Sequence, residues 1–175
     1  AGITSIDDLY TFTQGDELQA VFIPAMRNID FNLGFLVDRE KLAHFMATQT
    51  EFHCLLETSF GYTGVNIKIP LKNNITELEV HELVLNEGEA EVSRCDYDRY
   101  LSMLTPKERE NKLKQERYNT FLVFHSGKVI MSGMTADFMR ETFNEFLRII
   151  RECEEQIKER LDAPEVADDA DVSSE

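Results

Sequence analysis

The stretch Asn119–Gly133 constrains the fold of this chain more than any other. Two β-rich runs, Thr120–Phe124 and Val129–Ser132, flank His125–Lys128, which has the length and the glycine of a hairpin turn. Alternation along the strands places large apolar side chains on both faces of this hairpin. Because an antiparallel sheet normally leaves one face polar, we expect a helix to cover one face and more protein, or a flat ligand, to cover the other.

Length and composition predict one domain with a proper core, since the chain has 175 residues of which 42% are hydrophobic. No apolar run reaches the ~18 residues of a transmembrane helix. Residues Ala1–Thr13 lack a basic region before an apolar segment, so we expect no secretory signal. Cys54, Cys95 and Cys153 lack CxxC spacing, which predicts free thiols in a reducing compartment.

A net charge of −15 argues at first sight against a nucleic-acid partner. The charge is unevenly distributed, however. Residues 1–20 carry −4, residues 72–118 carry −3 and residues 162–175 carry −6, which leaves −2 for the rest of the chain. The acidity therefore belongs mostly to outlying segments, and the predicted core is near neutral without being basic.

The first half of the chain alternates between strand and helix patterns. A strand pattern runs from Val21 to about Gly34, interrupted by Pro24, and it points Ile29, Phe31 and Leu33 towards one face and Met26, Asn28, Asp30 and Asn32 towards the other. Asp38 is a good N-cap for a helix over about residues 39–48. A second strand pattern covers residues 62–69 and ends at Pro70.

Residues 72–118 have the pattern of an insertion, with a strand at 77–85, a short helix at 96–104, and a capping box at Thr105 that opens a charged helix to about Tyr118. That charge run favours a solvated helix face.

After the hairpin, Thr135 caps the longest predicted helix, 136–161, whose wide apolar stripe predicts that it packs across the sheet. The tail 162–175 has no cations and we expect it to be disordered.

The hairpin resembles the Phe-x-Ser-Gly-Lys-x-x-x-(Thr/Ser)-Gly signature of the TATA-box-binding protein family, and the matching residues are Phe124, Ser126, Gly127, Lys128, Ser132 and Gly133. Residues 21–161, without the insertion, resemble one repeat of that two-repeat family. The second repeat is the more similar one, because Tyr62-Thr63-Gly64 stands where Phe-Pro-Gly is common and residues 137–150 follow the apolar pattern of its last helix.

The resemblance implies an α+β, TBP-like (helix-grip) fold, in which a curved antiparallel sheet carries two helices on its convex face, here with an inserted strand and helix segment. It also implies that the concave face lies in the DNA minor groove, with Phe124 and Tyr62 at the positions of aromatic wedges. Lys68 is near a phosphate-contacting position, and Asn28 resembles a strand asparagine that bonds groove acceptors, although a second alignment shifts that assignment by two residues on the same face. The implied DNA-binding residues are Asn28, Tyr62, Lys68, Thr120, Leu122, Phe124, Lys128, Ile130 and Ser132.

Several positions depart from the family pattern. Asp30 is predicted on the concave face, Tyr62 brings a hydroxyl to a wedge position, and Thr58 and Phe60 replace glutamates that contact the next basal factor. Only one repeat is present, so a full saddle requires a homodimer or a second TBP-like half. The insertion is unusual in cellular members, and divergent copies of the family occur in large DNA viruses.

The predicted function is therefore a TBP-like transcription initiation factor that binds AT-rich promoter DNA. The expected protein partners are a basal transcription factor of the IIB type or the RNA polymerase machinery, in the nucleus or, if the protein is viral, in a cytoplasmic viral factory or virion. One alternative is a domain of the same fold that docks a transcription partner without binding DNA, and another is an accessory domain of an enzyme of nucleic acids. The four histidines lack metal-ligand spacing and no nucleotide-binding glycine loop is present, so we expect no enzyme, metal or cofactor.

Overall fold

The computed structural model describes residues 20–57, 63–86 and 89–159, which form an α+β fold with two antiparallel sheets and four α-helices. In chain order the elements are β1 (Ala20–Phe22), β2 (Arg27–Asn32), α1 (Arg39–Gln49), β3 (His53–Glu57), β4 (Gly64–Pro70), a 3-10 turn (Ile75–Glu77), β5 (Glu79–Asn86), β6 (Glu89–Asp96), α2 (Tyr97–Met103), α3 (Pro106–Lys114), β7 (Tyr118–Phe124), β8 (Lys128–Gly133) and α4 (Ala136–Ile157). Residues 1–20, expected from the sequence to be an N-terminal arm or the remnant of an upstream half, lie outside the described residues apart from Ala20, and so does the acidic tail 162–175.

The larger sheet has five strands in the order β2-β8-β7-β4-β3, and every neighbouring pair is antiparallel. Its core lies on one face, beneath α1 and α4. The buried side chains of that core include Leu42, Met46, Val65, Ile67, Phe121, Val123, Val129, Met131, Phe146 and Ile150. Each such side chain stabilises the fold by about 1.5–3 kcal/mol when fully buried, so a one-residue slip in strand register would be strongly disfavoured.

Aromatic contacts hold α4 on the sheet. The rings of Phe121 and Phe146 stack with their centroids 4.2 Å apart. The rings of Phe31 and Phe143 are nearly perpendicular, with their centroids 5.2 Å apart. The helix begins where Thr135 accepts a hydrogen bond from the backbone N–H of Phe138, as the sequence predicts. The predicted burial of the apolar stripe of α4 against the sheet is confirmed.

The inserted segment leaves the large sheet at Pro70 and returns at Tyr118, and these two residues are paired across β4 and β7. The Phe124 end of β7 is paired with Gly64, at the opposite end of the same strands. The segment builds a second sheet, β1-β5-β6, with its own core of Ile75, Leu78, Val80, Tyr97, Leu101 and Phe138. Because Phe138 belongs to α4, the two cores are joined through that helix.

The N-terminal strand pattern is wrong in two respects. Residues 20–22 form β1, which pairs with β5 of the small sheet, and only residues 27–32 join the large sheet. Pro24 lies between them, and its missing N–H removes a ladder hydrogen bond. Ile29, predicted to be buried, is 38% exposed, because β2 is an edge strand with a neighbour on one side only. Phe31 and Leu33 are half-buried against the core.

Three other element predictions need correction. Strand β3 was not predicted, because His53–Glu57 shows no clear alternation of polar and apolar residues. Strand β6 was not predicted either, because its sequence is mostly polar and only pairing with β5 makes it a strand. Helix α3 ends at Lys114 and not near Tyr118, which is the first residue of β7. The predicted capping box at Thr105 is confirmed.

Candidate nucleic-acid interface

The β7–β8 hairpin positions the candidate site. Its turn requires a glycine at position 127, where φ is +80° and an added Cβ would overlap the backbone carbonyl oxygen of Phe35. Two further backbone hydrogen bonds fix the turn, from Leu33 N–H to the Gly127 carbonyl at 2.9 Å and from Val37 N–H to the His125 carbonyl at 2.8 Å. The hairpin is therefore held rigidly against the segment that leads into α1.

Strand register collects the predicted residues on the face opposite the helices. Leu122 of β7 pairs with Asn66 of β4 on one side and with Ile130 of β8 on the other. Ser132 of β8 pairs with Asn28 of β2 on one side and with Thr120 of β7 on the other. We call this the open face, and its described members are Asn28, Asp30, Asn32, His53, Leu55, Asn66, Lys68, Thr120, Leu122, Phe124, Lys128, Ile130 and Ser132. Eight of the nine residues that the sequence analysis implicates lie on it. The ninth, Tyr62, is outside the described residues.

The open face has an apolar centre. Leu122, Phe124 and Ile130 are half-buried by their strand neighbours, and Leu55 is 52% exposed. Helices α1 and α4 pack on the opposite face, and no helix of the described chain covers this one. Phe124 lies at the turn end of the face, where its cross-strand neighbour is Gly64, which has no side chain to cover the ring. An uncovered patch of this kind is typical of an interaction surface.

Polar groups surround that apolar centre. The Ser132 hydroxyl donates a hydrogen bond to the Asn28 side-chain oxygen at 2.8 Å, which orients the amide. The Lys128 ammonium lies 3.7 Å from the Asp30 carboxylate, and both side chains are more than half exposed. Lys68 has no acidic partner in the described chain. Asp30 thus lies on the face where the sequence places it, and it forms an exposed ion pair with one of the two lysines there.

Three residues of the open face were missed by sequence reasoning. His53 and Leu55 were missed because β3 itself was missed, and Asn66 lies in the predicted strand 62–69 but was given no role. The side-chain oxygen of Asn66 is buried and has no hydrogen-bond partner among the described residues. A side-chain amide offers two donors and one acceptor, which suits it to the hydrogen-bonding edges of bases. The alternation of β4 was the signal that could have identified it.

Other kinds of site have little support in the described part of the chain. It holds no cluster of three or more residues suited to a metal ion, and none of its helices is long and apolar enough to span a membrane. Burial raises the pKa of the Cys54 and Cys153 thiols to about 11, which disfavours the reactive thiolate. Two open grooves lie along α1 and α4, and the larger has a volume of about 650 Å³.

Comparison with known proteins yields one distant relative. The chain is 27% identical over 140 residues to Uncharacterized protein 335L of Invertebrate iridescent virus 6, in a match that covers 72% of this chain and 40% of the viral protein. The chain therefore spans about two-fifths of the length of that relative. No family model matches the chain, and no solved structure matches it.

Proposed function

We propose that this protein is a TBP-like transcription initiation factor that binds AT-rich promoter DNA in the minor groove through the open face. In this proposal the five-stranded sheet with α1 and α4 is a TBP-like repeat, and the open face is its concave surface. The observation that carries the proposal is the assembly of eight implicated residues on one uncovered face of a single sheet. The similarity to an iridescent-virus protein supports a viral source, with a viral factory or virion as the place of action.

The chemistry of the open face suits the minor groove. A·T pairs present only acceptors there, adenine N3 and thymine O2, which match the amide of Asn28 and the hydroxyl of Thr120, while the Ser132 hydroxyl donates to Asn28 and orients that amide. Leu122 and Ile130 supply apolar contact area beside them. In this proposal Phe124 wedges between two base pairs, a step that costs a few kcal/mol of unstacking and is offset by the surface that the bent duplex then contacts.

Charge contributes less to this interface than to most DNA-binding surfaces. The open face has two lysines, Lys68 and Lys128, and Asp30 lies against the second of them. Each phosphate contact contributes about −0.9 to the slope of log K against log salt, so these lysines account for about −1.8. Most of the affinity must therefore come from apolar contact and from the ease with which the bound sequence deforms.

A duplex bent across a full saddle requires more than one sheet of this size. The free edge of β2 presents unpaired backbone groups at one end of the large sheet. We propose that a second copy, or a second TBP-like half, completes the saddle at the DNA.

The second candidate function is protein docking on the same face, with a basal transcription factor of the IIB type or the polymerase machinery as partner. The contact between Asp30 and Lys128 favours it, because a carboxylate on the face opposes DNA and accommodates a protein side chain. In this case Phe124→Ala would reduce binding of the protein partner and leave any DNA binding unchanged.

Bending of a short duplex distinguishes the two functions. Fluorophores at the two ends report bending by energy transfer, with and without a TATA-like box, at two salt concentrations, for the chain alone and for two copies joined in tandem. We expect wild type to bend the TATA duplex and Phe124→Ala to weaken binding about tenfold or more, since a base-stacking aromatic is worth about 1–3 kcal/mol. Phe22→Ala is the matched control, because Phe22 is 55% exposed on the small sheet. If the duplex stays straight at low salt with the wild-type chain alone and also with two copies joined in tandem, DNA binding by this face is refuted.

A further inference from the structure

We infer that helix α3 of the inserted segment is a second DNA contact, which binds backbone phosphates beside the groove occupied by the open face. This inference rests on the proposed function and extends it to a segment that the resemblance does not cover. It supplies further cations beside an open face on which the lysines are Lys68 and Lys128.

Helix α3 does not behave as a core helix. None of its residues is buried, whereas α1, α2 and α4 each bury two or more. Its start is fixed locally, because the Thr105 hydroxyl accepts from the Glu108 N–H while the Glu108 carboxylate accepts from the Thr105 N–H. The helix is thus formed and exposed without serving the hydrophobic core.

Its charge is opposite to that of the whole chain. Within Pro106–Lys114 four cations face two glutamates, a net charge of +2 in a chain that carries −15. Both glutamates are engaged: Glu108 in the capping box and Glu110 in a contact with Lys114. That ion pair is an exposed i, i+4 pair, a kind of contact that contributes little to stability and is easily exchanged for a phosphate.

Three of the four cations of α3 lie off the side of the helix that faces α2, whereas Arg109 lies on it. A small groove between α2 and α3 is lined by Leu101, Pro106, Arg109 and Leu113, which identifies the side of α3 that faces α2. With 3.6 residues per turn, Lys107, Asn111 and Lys114 lie together on the opposite side, and Lys112 lies on its flank. Lys107, Asn111 and Lys114 are all exposed.

The chain connection limits how far α3 can lie from the large sheet. Only three residues separate Lys114 from Tyr118, which opens β7 on the same strand face as Thr120 and Leu122. Four residue steps span at most about 14 Å, and α3 itself is about 13 Å long. A backbone hydrogen bond of 2.9 Å from Leu71 N–H to the Arg117 carbonyl fixes this connection to the end of the sheet.

The salt dependence of DNA binding tests the inference. Replacing Lys107, Lys112 and Lys114 by glutamine in the full chain removes three phosphate contacts, so the slope of log K against log salt should fall in magnitude by about 2.7. With the two lysines of the open face, wild type should lose affinity about 500-fold between 50 and 200 mM salt, and the triple variant only about 12-fold. Replacing Lys41, Arg148 and Lys158 on α1 and α4 by glutamine is the control, since it changes the net charge equally on the opposite face.

The outcomes separate the inference from the proposed function. Suppose that the triple variant still bends the duplex and that its slope of log K against log salt is reduced, while the control keeps the wild-type slope. This result supports both the inference and the proposed function. If wild type bends the duplex and the triple variant keeps its full slope, the inference is overturned and the proposed function stands. If wild type binds without bending and Phe124→Ala has no effect, the proposed function fails and α3 is no extension of it. No binding by wild type at low salt overturns both.

Discussion

Three glycines of this chain allow steric strain and backbone strain to be measured separately. Gly34 has φ of +87° and no atom within 4 Å of an added Cβ. Gly133 has no positive φ, but an added Cβ would overlap the Asn119 side-chain oxygen and come within 2.5 Å of Met139 Cγ. Gly127 combines a φ of +80° with overlap of the Phe35 carbonyl oxygen. Alanine should therefore impose backbone strain at position 34, steric crowding at position 133, and both together at position 127.

The expected costs follow from those environments. Gly34→Ala should lower the free energy of unfolding by about 1–2 kcal/mol, the cost of a left-handed backbone for a residue with a Cβ. Gly133→Ala should cost about 1–3 kcal/mol, as overpacking does, because Asn119 is buried and donates hydrogen bonds to the Phe138 carbonyl and to Thr142. Gly127→Ala should cost the most, about 3 kcal/mol or more, since a backbone carbonyl cannot rotate aside as a side chain can.

Urea denaturation followed by circular dichroism measures these differences, and thermal midpoints should fall by about 2–4 °C for each kcal/mol in a chain of this size. Gly34→Asn is the matched control, because asparagine tolerates a positive φ better than alanine and should recover part of the loss. If Gly127→Ala is no more destabilising than Gly34→Ala, the close approach of the hairpin turn to Phe35 is wrong, and with it the position of Phe124.

The remaining predictions concern charge and the outlying segments. Asp30→Asn should strengthen DNA binding, as measured by fluorescence anisotropy, whereas the surface control Asp98→Asn should not. Removing the chain after Leu161 should strengthen binding chiefly at low salt, because repulsion is screened over about 10 Å at 0.1 M. Asp38→Ala should cost about 1 kcal/mol at pH 7, and this difference should shrink below about pH 4, because the backbone N–H of Lys41 lowers the pKa of Asp38 in the folded state and that stabilisation is lost as the carboxylate protonates. Replacing residues 72–118 by a short turn should leave the five-stranded sheet folded, as judged by amide exchange, although it exposes Phe138; loss of all protection would contradict this.

The sequence predicts most of the large sheet and its helices because their signals are local. Alternation in β7 and β8 and the apolar stripe of α4 depend only on spacing, and the caps at Asp38 and Thr135 depend on residues within one turn. Strands β3 and β6 could not be predicted in this way. Their sequences carry weak patterns, and they become strands because β4 and β5 offer backbone partners.

The candidate site shows the same division. Alternation correctly assigns Thr120, Leu122 and Phe124 to one face, since a strand has a period of two. The contact between Asp30 and Lys128 depends on the register of β2 against β8, which no local pattern contains. The exposure of Ile29 likewise depends on β2 being an edge strand, which follows from the order of all five strands.

The net charge of −15 does not by itself exclude a polyanionic ligand, because distance and salt decide which charges the ligand experiences. At physiological ionic strength the screening length is about 8 Å, so exposed charges farther than this from the groove contribute little to the bound state. Among the open-face residues whose side chains the structure describes, the charged ones are Lys68, Lys128 and Asp30, a net of +1, and α3 adds +2. The acidic segments at the two ends of the chain add to its net negative charge, and we expect them to slow the approach of DNA at low salt. A positive bound surface and a negative whole molecule are therefore compatible, and raising the salt from a very low value should first speed association before it weakens the complex.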